Sequence, residues 1–99
     1  LSTISMADGT CLGTESASKS AKVKNQSCAE TPNQLWTIVP SWNGTVQFKN
    51  SETGWCLDVS GNSTSSGADL IQWGDGNSPN GTCKPTNANN NHNLYGYGY

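Results

Sequence analysis

The most definite chemistry in this sequence belongs to four cysteines, Cys11, Cys28, Cys56 and Cys83. Thiols in a small polar chain either oxidise in pairs or ligate a metal. A four-thiolate site draws its ligands from closely spaced pairs, and the chain contains no CxxC. Two disulfides are therefore expected, and four cysteines allow three pairings. Gly9-Thr10-Cys11-Leu12-Gly13 is echoed by Gly54-Trp55-Cys56-Leu57-Asp58, so the chain reads as a repeat. That repeat favours Cys11 with Cys28 and Cys56 with Cys83. Closing loops of ~17 and ~27 residues contributes about 3 kcal/mol each in the chain-entropy account.

Little else in the sequence points to catalysis. The seven acidic residues and one histidine form no recognisable triad, carboxylate pair or metal cluster. His92 stands inside an asparagine run and reads as a solvated tail residue. No enzymatic activity, metal or cofactor is expected. Four Asn-X-Ser/Thr sequons occur, at Asn25, Asn43, Asn62 and Asn80, all in segments with turn or strand-edge composition that tolerate a glycan. Disulfides and occupied sequons imply the same compartment, so the protein is expected to be secreted or extracellular. Charged residues make up 12% of the chain, against a typical ~25%; Asn, Ser, Thr and Gly fill the difference. With a net charge of −2 and no arginine, the chain lacks the basic patch that nucleic-acid binding needs. No apolar run reaches membrane-spanning length.

Short strands must position these residues. Ile4 and Met6 alternate over Ser2 to Met6, Asp8-Gly9 is a turn, and Cys11-Leu12 opens the next strand. Glu15 to Ser20 reads as loop, Ala21 to Lys24 as a weak strand centred on Val23, and Gln26 to Pro32 as loop. Leu35 to Val39 is a clear strand that Pro40 ends. Asn43-Gly44 turns the chain into Thr45 to Phe48, with Val46 and Phe48 on one face. After a turn at Asn50 to Thr53 come Trp55 to Val59, a polar loop from Ser60 to Gly67, and Leu70 to Trp73. Trp42 and Trp55, beside turns, are candidates for exposure. No segment shows a helical period, so the chain is all-β, with short antiparallel strands and hairpins. The pattern divides it into a β domain over 1–85, with repeats at about 4–48 and 49–85, and an Asn/Gly/Tyr-rich tail over 86–99.

The repeat resembles the ricin B-type lectin family. The words that carry the resemblance are Gly54-Trp55-Cys56-Leu57-Asp58-Val59, Gly67-Ala68-Asp69-Leu70-Ile71-Gln72-Trp73, and the closing Gln-x-Trp as Gln34-Leu35-Trp36. Phe48-Lys49-Asn50-Ser51-Glu52-Thr53-Gly54 is similar to the lead-in of the family's Cys-Leu-Asp strand. The resemblance covers about Ile4 to Asn80 and implies a β-trefoil, here partial or modified because only two repeats are present. The second repeat also departs from the pattern, with Gly81-Thr82-Cys83 where Gln34-Leu35-Trp36 stood.

The resemblance further implies a sugar site built from a carboxylate, an aromatic platform and amides: Asp58, Trp73 and Asn80. Ile71 stands where the family often has Gln, so this site is degraded. The competing reading has Asp58 accepting from loop amides of Ser60 to Asn62 and Trp73 in the core. The first repeat has Gly13 in place of Asp58 and no aromatic near Val23; it is expected to bind nothing, with Asn33 and Gln34 as turn-stabilising amides. Two functions follow. One is a non-catalytic secreted lectin-like module that binds carbohydrate or glycan. The other is a structural subunit of an extracellular glycosylated assembly or filament, in which Tyr95, Tyr97 and Tyr99, sharing one face of an extended tail, dock on a neighbouring copy or fold back on their own barrel.

Overall fold

A computed structural model of the chain describes residues 1–40, 44–62, 67, 69–77 and 79–83. Trp42, Asn43, His92 and the tail tyrosines Tyr95, Tyr97 and Tyr99 lie outside the described residues, as does the segment assigned to the tail.

Six strands follow one another: β1 (Cys11–Thr14), β2 (Val23–Gln26), β3 (Trp36–Pro40), β4 (Val46–Asn50), β5 (Cys56–Val59) and β6 (Leu70–Trp73). No α-helix occurs among the described residues; 3-10 turns occupy Pro32–Gln34 and Ser60–Asn62. β1 and β2 form one antiparallel hairpin, and β3-β4-β5-β6 form a four-stranded antiparallel meander. The two sheets do not close into a barrel. The short antiparallel strands and hairpins expected from the residues are observed, whereas the closed barrel of a trefoil-like fold is not.

Local chemistry sets the turns. Asp8 Oδ1 accepts from the Thr10 N–H at 2.9 Å, while Gly9 takes a φ of +85°, a conformation open to glycine. Asn50 does the same between β4 and β5, its Oδ1 accepting from the N–H groups of Glu52 at 2.9 Å and Thr53 at 3.3 Å. Both disulfides form as the repeat indicated, with Cα–Cα distances of 5.0 Å for Cys11–Cys28 and 5.2 Å for Cys56–Cys83.

The core gathers Ile4, Leu12, Val23, Trp36, Val46, Phe48 and Leu57, with Leu70 against it. Trp36 of the Gln-x-Trp word is 1% exposed, and its Nε1 donates to the Leu12 carbonyl at 3.1 Å. The repeat's closing motif therefore fastens directly to its Cys-Leu strand.

Several sequence expectations shift. Ser2 to Met6 pairs only through single bridges, Ser2 to Trp36 and Ser5 to Cys11, and Met6 is exposed while Ile4 is buried. β2 extends through Gln26, beyond the Lys24 that the sequence predicts as its end, because Gln26 pairs with Cys11. β3 includes Pro40. Trp55, a candidate for exposure, is buried: it packs against Gly81, and its Nε1 donates to the Asp75 carbonyl at 3.2 Å.

Candidate functional site

The β5–β6 hairpin pairs Cys56 with Trp73, Leu57 with Gln72, Asp58 with Ile71 and Val59 with Leu70. Side chains alternate along a strand, so Asp58, Trp73, Cys56 and Ile71 share one face. Leu57, Val59, Leu70 and Gln72 share the other, which turns to the core. Asp58 and Trp73 thus stand as diagonal neighbours across the hairpin. Asp58 is 2% exposed, and Trp73 is half-buried. The indole is the part of this pair that solvent reaches.

Lys19, from the loop between β1 and β2, holds its Nζ 4.5 Å from the centroid of the Trp73 ring. Gln72, wholly buried, keeps that loop in place. Its Nε2 donates to the carbonyls of Ser16 at 3.1 Å and Ser18 at 2.6 Å, and its Oε1 accepts from Thr53 Oγ1 at 2.8 Å. Neither residue was singled out by sequence reasoning. For Gln72 a signal existed: its period-two parity with Leu70 places it inward. For Lys19 none did, since the contact joins segments distant in the chain.

Asn80 stands elsewhere. With Thr37, Val39, Lys49, Asn50, Ser51, Gly54, Pro79, Gly81 and Thr82 it lines a cleft of about 550 Å³, to which neither Asp58 nor Trp73 contributes. Of the sequon asparagines, Asn25 and Asn80 are exposed; Asn25 Nδ2 donates to Thr10 Oγ1 at 2.8 Å. Asn62 closes the 3-10 turn after β5.

The first repeat is built differently at the corresponding positions. By register, Gly13 and Gln26 occupy the places of Asp58 and Trp73. A Cβ on Gly13 would collide with the Gln26 amide and stand 2.9 Å from Gln34 Cγ. Gln26 Oε1 there accepts from Asn33 Nδ2 at 3.1 Å and Gln34 Nε2 at 3.0 Å. Gln34 also donates to the Ser27 carbonyl and accepts from the Ala29 N–H. The amides Asn33 and Gln34 hydrogen-bond within the fold, as expected, and Gln26 lies by register where Trp73 stands in the second repeat. Among the described residues no group of three or more His, Cys, Asp or Glu could hold a metal. No helix among them is long and apolar enough to cross a membrane.

A designed three-fold symmetric protein, ThreeFoil, has a similar solved structure: TM-score 0.69 and 29% sequence identity, over 84% of this chain and 54% of that one. The chain therefore spans about half the length of that structure. No curated protein matches. The family model described as "ricin-type beta-trefoil lectin domain-like" matches residues 2–73, which takes in both Cys-Leu strands, the Gln-x-Trp word and β6. The family is a lectin-like one, and membership supports a carbohydrate-binding module. The chain belongs to the ricin-type β-trefoil lectin domain-like family.

Proposed function

We propose that the chain is a non-catalytic, secreted carbohydrate-binding module whose sugar contact is the face of the β5–β6 hairpin that carries Asp58 and Trp73. Trp73 is the platform on which the C–H face of a pyranose stacks, and Asp58 is the acceptor for a hydroxyl that enters beside the indole. The observation that carries this reading is the shared hairpin face of Asp58 and Trp73, within a family of lectin-like domains. The burial of Asp58 makes it the weaker half of the pair. Asn80 is carried forward as a glycan acceptor and not as a sugar contact, because it lines a separate cleft. Glycan-array screening followed by calorimetric titration tests the reading. Binding should be lost in Trp73→Ala and weakened in Asp58→Asn, with far-UV circular dichroism unchanged. Failure of the unaltered protein to bind any sugar overturns it.

A second reading, a structural subunit of an extracellular glycosylated assembly, draws support from the exposed sequon residues Asn25 and Asn80 and from the alternating Gly/Tyr tail. Deleting Leu94 to Tyr99 should then reduce the assembly to monomers in light scattering. An unchanged oligomeric state rejects it.

A further inference from the structure

The loop between β1 and β2 is fastened to β6 on both sides of Lys19. On one side the Ser16 and Ser18 carbonyls accept from the Gln72 side chain, at 3.1 Å and 2.6 Å. On the other, the Ser20 N–H donates to the Gln72 carbonyl at 2.9 Å, and the Gln72 N–H donates to the Ala21 carbonyl at 3.0 Å. Ser20 adopts a φ of +71°, a left-handed conformation that a residue with a Cβ holds only when its surroundings impose it. Lys19 is thus pinned by its neighbours, and its ammonium lies over the Trp73 ring. Lys22, in the same segment, is engaged by Asp69 at 3.7 Å. Lys19 makes no ion pair among the described residues.

Resting on the reading of Trp73 as a sugar platform, we infer that this platform prefers acidic sugars: pyranosides that carry a carboxylate or a sulfate ester. A neutral pyranose must draw the ammonium off the ring before it can stack, and it gives up the cation–π contact in doing so. An acidic sugar offers the displaced ammonium a counter-ion and recovers the lost attraction. Two carboxylates moderate the gain: Asp58, enclosed on the same hairpin face, and Asp75, exposed two residues beyond Trp73. An exposed ion pair of this kind corresponds to roughly a two- to fivefold change in affinity.

The test is titration of the protein with three ligands at low ionic strength: methyl β-galactopyranoside, the corresponding galactopyranosiduronate, and the 6-sulfated galactoside. At least one anionic ligand should bind about two- to fivefold more tightly than the neutral one, and which of them does so identifies the anion. The ratio should fall toward one in Lys19→Gln and at high salt. Equal or weaker binding of both anionic sugars overturns the inference, as does a preference that survives Lys19→Gln. Neutral binding that depends on Trp73 but shows no anionic preference removes this inference and leaves the lectin reading standing. No binding of any of the three, with a blank glycan array, removes both.

Discussion

Gln26 answers Gly13. Where one repeat has a carboxylate, the other has a bare backbone covered by an amide from across its hairpin, and that amide is satisfied by Asn33 and Gln34. Gly13→Ala should therefore destabilise the fold by ~1–3 kcal/mol, as overpacking of a filled site does, read from the urea midpoint. Thr14 gives the opposite expectation. Its Oγ1 is buried without a hydrogen-bond partner among the described residues, and a methyl of similar shape removes an unmatched polar group. Thr14→Val should raise stability by about 1 kcal/mol. Asp8 offers a pH-dependent check. The Thr10 hydroxyl, then the Thr10 N–H, holds its carboxyl below the ordinary value of 3.8. With the folded-state pKa depressed, the stabilisation is complete above the unfolded value and is lost as pH falls through the folded one. An NMR titration of the Asp8 carboxyl should give a midpoint below 3.8; a midpoint at or above it contradicts the hydrogen-bonded turn.

At the scale of elements, the hairpins were legible because their chemistry is local. Leu70 to Trp73 matched β6, and Cys11 opened β1, since each strand begins or ends at a turn the sequence marks. β2 was harder to read. Val23 is its one large apolar residue, and only pairing with β1 makes Gln26 part of a strand. The candidate site was half legible. The words shared with the family gave Asp58, Trp73 and Asn80, whereas the Lys19 contact and the separate place of Asn80 depend on where loops come to rest. Trp55 was misjudged because its cover, Gly81, arrives from beyond β6. Gln72 ties β6 to both the β1–β2 loop and Thr53. Gln72→Ala leaves Thr53 and two loop carbonyls without their partner, and should cost ~3 kcal/mol. The same change should release Lys19 from the indole, seen as a change in Trp73 fluorescence or ring-proton shifts.

For the whole molecule, the two repeats share a plan but differ in how they are closed. The first ends on Trp36, sunk into the core; the second ends on Gly81 beneath Trp55, with the Cys56–Cys83 bridge just beyond. Breaking the first bridge by Cys11→Ser with Cys28→Ser should lower stability by about 3 kcal/mol, measured by thermal unfolding of the oxidised protein and the double variant. The Gln72 contacts with Ser16 and Ser18 join positions 56 and 54 residues apart. Contacts between such distant parts of a chain form late and slow the approach to the native state. Until β6 is in place, the loop bearing Lys19 is held only by its own short-range bonds, among them the Glu15 N–H to the Lys22 carbonyl and the Ala21 N–H to the Ser18 carbonyl. A protease added during refolding should cut there first, and acquired resistance at Lys19 should report the moment the second hairpin locks onto the first.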